Sequence, residues 1–181
     1  GDKIVFTSMR NGDLDLYTMN IDGSDVKQVT NTLGYDGGAF FSPDGTKLIW
    51  RASRPKTPED VKEYKDLLKI NQVMPTQMEL FVGNADGSDA KQITDLGEAN
   101  WAPSWFPDGK HVIFASNHTH ERGFPFTLFK IGIDGTGLEP LTNTDMFDAF
   151  PMFSKDGKYL IFSSNRGGVD HETNLFMAEW K

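Results

Sequence analysis

One phrase of ten residues occurs three times in this chain, and repetition of that kind narrows the folds open to it. Phe41-Ser42-Pro43-Asp44-Gly45-Thr46-Lys47-Leu48-Ile49-Trp50 returns as Trp105-Phe106-Pro107-Asp108-Gly109-Lys110-His111-Val112-Ile113-Phe114, and again as Phe153-Ser154-Lys155-Asp156-Gly157-Lys158-Tyr159-Leu160-Ile161-Phe162. A second phrase, Asn20-Ile21-Asp22-Gly23-Ser24, returns as Asn84-Ala85-Asp86-Gly87-Ser88 and Gly132-Ile133-Asp134-Gly135-Thr136. Both step by 64 residues and then by 48. Two markers that move together mean one copied structural unit. Units of this length built from short strands read as propeller blades.

Each unit parses into four strands. β-Branched and aromatic runs bounded by Gly and polar clusters, such as Leu48-Ile49-Trp50 and Val112-Ile113-Phe114, form one set. Leu14 to Asn20, Glu79 to Asn84, Thr127 to Ile133 and Asn174 to Trp180 form the next, and short segments at Lys27, Lys91 and Glu139 the outermost. Ala39 to Ser42, Pro103 to Phe106 and Pro151 to Ser154 precede the Asp-Gly turn, whose Gly supplies positive φ at low steric cost. The expectation is an all-β propeller domain over 1–181, with blades at 3–30 (partial), 38–94, 102–142 and 149–180 (partial). Such rings close at typically about 4–8 blades, so the arc reads as a small ring or part of a larger one.

One segment breaks the pattern. Residues 55–77 are inserted between the second and third strands of the second blade, and account for the 16 residues by which the first step exceeds the second. Thr57 suits an N-cap, Pro58 the first helical position, and Glu59 and Asp60 the positive end of the dipole. Val61, Tyr64, Leu67 and Leu68 share a face, which predicts an amphipathic helix of about three turns.

Composition excludes some functions. The absence of cysteine removes disulfides, thiolate metal sites and a Cys nucleophile. A net charge of −8 argues against nucleic-acid binding, which needs a basic face. No run approaches the roughly 20 apolar residues of a membrane span. No Gly-x-Ser-x-Gly elbow or His-Glu-x-x-His occurs.

Strand order sorts the loops onto two rims, and only one rim varies. It holds the connections from second to third strand and from each blade to the next, so binding is expected there, because function concentrates on loops of a rigid scaffold. Candidate rim residues are Arg10, Tyr35, Asp36, Arg54, Asn100, Trp101, His118, Phe147, Asp148 and Arg166. Asp36, Asn100 and Asp148 occupy one equivalent position, and admit two readings: turn caps, or oxygen ligands for a Ca²⁺-like cation at the channel mouth. His118, His120 and Glu121, with Asp170, His171 and Glu172, carry transition-metal ligand types but no known metal spacing, and equally suit solvated loops. Arg10, Arg54 and Arg166 recur just after the second strand, with His118 in the third blade. They read either as a basic ring for an anionic ligand or as repeated inter-blade salt bridges to Asp. No cofactor other than that cation is expected.

The Pro-Asp-Gly phrases resemble the WD-like repeats of the TolB family. Tyr35-Asp36-Gly37-Gly38, Arg51-Ala52-Ser53-Arg54-Pro55-Lys56, Asn100-Trp101-Ala102-Pro103, Phe147-Asp148-Ala149-Phe150-Pro151-Met152-Phe153 and Ser164-Asn165-Arg166-Gly167 are similar to longer secreted bacterial TolB-like proteins. The resemblance implies a β-propeller in the bacterial periplasm or at the cell surface that binds a protein or cell-envelope component and is not an enzyme. Alternatives are the propeller of a secreted hydrolase, lyase or peptidase, and two arcs associating as a homo-oligomer.

Overall fold

The computed structural model describes residues 1–120, 123–169 and 172–181. Four antiparallel sheets follow one another along the chain. The first holds β1 (Lys3–Ser8), β2 (Asp15–Asn20) and β3 (Lys27–Gln28). The second holds β4 (Asp36–Phe41), β5 (Lys47–Ala52), β6 (Glu79–Asn84) and β7 (Lys91–Gln92). The third holds β8 (Asn100–Trp105), β9 (His111–Ser116), β10 (Thr127–Gly132) and β11 (Glu139–Pro140). The last holds β12 (Asp148–Phe153), β13 (Tyr159–Ser164) and β14 (Asn174–Glu179). Every sheet is a meander of sequential neighbours. The strands that open successive blades pack on one another, β4 on β8 and β8 on β12, whereas β3, β7 and β11 make their main contacts within their own sheets. That convergence is the radial packing of a propeller.

The Asp-Gly turns fold as their sequence dictates. Asp44 Oδ1 accepts from Ser42 Oγ (2.6 Å), Thr46 N (3.0 Å) and Thr46 Oγ1 (2.8 Å), which closes the turn with one carboxylate. Asp22, Asp86 and Asp134 do the same with Ser24, Ser88 and Thr136. Gly87 has a second reason to be glycine beyond its φ of +88°: a Cβ would lie 2.1 Å from the Val29 carbonyl of the preceding blade. Turn and inter-blade packing are thus met by one residue.

Between blades lie the apolar cores. Leu16 packs on Leu48, Trp50 and Ala52; Ile49, Leu80 and Val82 pack on Trp105, Val112, Phe114 and Phe129; Ile113 and Leu128 pack on Leu160 and Phe162. Most of these side chains are buried to completion or nearly so, each contributing about 1.5–3 kcal/mol of transfer free energy. One cross-strand aromatic pair recurs in all four blades: Phe6 on Tyr17, Trp50 on Phe81, Phe114 on Phe129 and Phe162 on Phe176, with centroids 5.8 to 5.9 Å apart.

The innermost strands begin three residues earlier than the sequence predicts, at Asp36, Asn100 and Asp148. Each then carries a register shift around Gly38, Ala102 or Phe150, all at positive φ (63°, 48° and 53°). The bulge bends the strand, and only the first of the three announces it with a glycine.

Helix α1 (Pro58–Lys69) has a complete capping box, in which Thr57 Oγ1 accepts from Asp60 N and the Asp60 carboxylate accepts from Thr57 N. Its buried Tyr64 donates its hydroxyl to Asp13 of the first blade, which fastens the insertion across two blades. No helix among the described residues is long and apolar enough to cross a membrane.

Candidate ligand-binding rim

The repeated Arg and Asp positions meet, but inside one blade. The first two strands of a blade form a hairpin, so the residue opening the first lies beside the residue two past the end of the second. Arg54 Nη2 donates to Asp36 Oδ1 at 2.7 Å, and Arg166 Nη2 donates to both oxygens of Asp148 at 2.7 Å. The bridges are therefore intra-blade, not inter-blade. Trp50 Nε1 also donates to Asp36 Oδ1, at 2.7 Å, while Asp36 Oδ2 has no partner among the described residues. Burial pushes the Asp36 carboxyl above the usual carboxylate range, against the pull of Arg54 and the Trp50 N–H.

Above each carboxylate the guanidinium covers an aromatic pair. Arg54 lies 4.9 Å from the Phe81 centroid, and Arg166 4.9 Å from Phe162 and 5.6 Å from Phe176. Arg10 stacks on Phe6 and Tyr17 in the first blade. In the third blade the His118 ring takes the same place, 4.6 Å from Phe129. Burial, aided by nearby His120, pushes the His118 imidazole below its usual range, toward the neutral form.

The third blade has Asn100 where the second and fourth have Asp. Asn100 Nδ2 donates to the Met78 and Gly97 carbonyls (both 2.9 Å) and approaches Glu79 Oε2 at 3.3 Å, while its Oδ1 accepts from Ser116 Oγ at 2.7 Å. A carboxylate here would face that of Glu79, whose oxygens already bind Thr94 Oγ1, Leu96 N and Gly97 N. The residue after the second strand here is His118, where the other blades have Arg.

Asp36, Asn100 and Asp148 are all fully buried, each engaged by its own neighbours. Among the described residues no three of His, Asp and Glu converge as metal ligands would. Glu121, Asp170 and His171 lie outside the described residues. Thr127 Oγ1 sits 3.5 Å from His120 Nε2. Trp101 is half-buried, stacked on Phe126 at 4.7 Å with its indole N–H given to the Pro75 carbonyl, and Phe147 is half-buried against Phe124 and Phe126.

Two features of this rim were not singled out by sequence. A cavity of about 310 Å³ opens between α1 and the second blade, lined by Arg54, Lys56, Glu63, Tyr64, Leu67 and Phe81 among others. It needs the insertion and the Tyr64–Asp13 contact, 51 residues apart, and long-range placement leaves no local signal. The second feature is Arg51, whose counterparts are Ala115 and Ser163. That break in the repeat was the available signal.

No family model matches the chain. It is 40% identical over 77 residues to dipeptidyl-peptidase 5 of Porphyromonas gingivalis, covering 42% of this chain and 9% of that protein. It is 30% identical over 138 residues to a TolB homologue of Chlorobium chlorochromatii, covering 64% of this chain and 31% of that protein. The solved structure of putative TolB from Agrobacterium tumefaciens superposes with a TM-score of 0.73 at 19% identity, over 99% of this chain and 58% of that one. The chain has the β-propeller fold of the solved TolB structures. It spans between 9% and 33% of the curated relatives that it matches.

Proposed function

We propose that this TolB-like propeller is a non-catalytic binding module of the bacterial cell envelope, working outside the cytoplasm. It holds a protein or an envelope component on the rim that carries α1 and the blade-to-blade loops. The observation behind this reading is the cavity under α1. Its volume reaches the lower end of the range for ligand sites, and its lining, with Leu67 and Phe81 among mostly polar and charged residues such as Arg54, Lys56 and Glu63, suits a polar ligand. The similarity to TolB homologues supports an extracytoplasmic setting and a protein partner.

The test fills the cavity from an exposed helix position. A Glu63→Trp variant should melt like wild type, yet recover less of any partner cross-linked from an envelope extract. Equal recovery by both proteins would remove the cavity from the reading.

A second reading is favoured by the 40% identity to a dipeptidyl-peptidase: the arc belongs to the propeller of a peptidase and screens substrates for a catalytic unit. Release of a dipeptidyl fluorophore by the protein isolated from its natural source would favour it over the first.

A further inference from the structure

Arg51 has no charged counterpart in the neighbouring blades. Position 51 corresponds to Ala115 and Ser163 in the next blades, so the fold itself does not ask for a cation there. Arg54 and Arg166 have buried carboxylates; Arg51 has no ion pair among the described residues. Its one side-chain hydrogen bond is long, Nη2 to Tyr35 Oη at 3.4 Å, and its buried Nε has no partner. The guanidinium is nevertheless held in place, 5.5 Å from the Tyr35 centroid and 6.0 Å from that of Trp101. Two nearby rings confine it, and apart from the long bond to Tyr35 its N–H groups are unengaged among the described residues, which is the donor set a carboxylate recognises.

One backbone position beside Arg51 carries no side chain. The innermost strand of this blade has Gly38 at the bulge where the others have Ala102 and Phe150, and Gly38 is exposed. A Cβ at Gly38 would lie 3.6 Å from Arg51 Nε. This cation and the open Gly38 position lie where β4 and β8 of neighbouring blades meet.

We propose that Arg51 is the anion-recognition point of the rim, and that it takes a single carboxylate of a bound peptide, from an acidic side chain or a free C-terminus. This rests on the rim-binding reading above and adds the chemistry of its ligand.

The test uses three peptides as probes: acetyl-Gly-Glu-Gly-amide, acetyl-Gly-Gln-Gly with a free C-terminus, and acetyl-Gly-Gln-Gly-amide. The readouts are the Nε–Hε NMR signal of Arg51, assigned by its loss in Arg51→Lys, and the backbone amide signal of Gly38, which every variant keeps and which reports binding in the variants. A saturable millimolar shift with either carboxylate peptide, absent with the amide and absent in Arg51→Gln, is the expected result, and the responding peptide identifies the source. Arg51→Lys, which keeps charge but not the fork, should bind several-fold more weakly, and guards against a Gln variant that fails to fold. An equal shift with the amide, or none up to the solubility limit, overturns the proposal. In the envelope capture, loss with Glu63→Trp but full recovery with Arg51→Gln would discard the anion point and keep the rim. Full recovery with both would discard the two together.

Discussion

Arg166 grips both carboxylate oxygens of Asp148 at 2.7 Å, yet the partners differ in how they meet water: the carboxylate side chain is wholly buried and the guanidinium is 33% exposed. Removing either should therefore have unequal consequences. Arg166→Met strands a buried charge, a loss of about 3 kcal/mol or more. Asp148→Asn leaves an arginine that reaches solvent, and should cost about 1–2 kcal/mol. The third blade already runs the neutral version, Asn100 with His118, so Asp148→Asn combined with Arg166→His should be less destabilised than Arg166→Met. Denaturant titration of the three variants measures the order.

Strain at the bulge gives a second pair of variants. Phe150 has φ +53° and is 55% exposed, so it bears a left-handed backbone with little packing in return. Phe150→Gly should raise stability by about 1 kcal/mol, since relief of the Cβ clash exceeds the added freedom of the unfolded chain. Gly38→Ala, at φ +63° with nothing closer than 3.6 Å to its Cβ, should lower it by about 1 kcal/mol. Opposite signs at equivalent positions, read as melting temperatures, are the check.

What could be read from sequence follows from how local each cause is. The Asp44 turn is written in five adjacent residues, and the helix start in Thr57, Pro58 and Asp60, so both were legible. The bulges were not, because Ala102 and Phe150 carry a glycine conformation without a glycine. Nor was the role of Asn100, which is set by Glu79 on the preceding blade. Arg54 and Asp36 were recognisable as repeating positions, but a sequence period cannot say whether partners lie within a blade or across two; strand pairing decides that.

Helix α1 reaches the first blade through the Tyr64 hydroxyl, so loss of that contact should be felt locally. Tyr64→Phe removes the hydroxyl that Asp13 accepts, and burial together with that carboxylate pushes the phenol well above its usual range, which keeps it a donor at all ordinary pH. The expected cost is about 1–2 kcal/mol. Hydrogen exchange should quicken in Pro58–Lys69 while β8–β10 keep their protection. Uniform acceleration through all blades would mean that the helix supports the whole arc.

Acid should unfold this protein through its turns. Hydrogen bonds from Ser42, then the Thr46 amide and hydroxyl, hold the Asp44 carboxyl down at about 2, and the Asp22, Asp86, Asp134 and Asp156 carboxyls are lowered by equivalent contacts. A carboxyl whose folded value lies below its unfolded one contributes stability above the unfolded value and loses it as pH falls through the folded one. The stability that these turns contribute should therefore be level above the ordinary value of 3.8 and be lost as pH falls toward about 2, so the melting temperature should drop through that window. Asp44→Asn keeps one acceptor oxygen but cannot titrate, so it should start lower at neutral pH and show a shallower acid slope. A slope unchanged from wild type would place the acid sensitivity outside this turn.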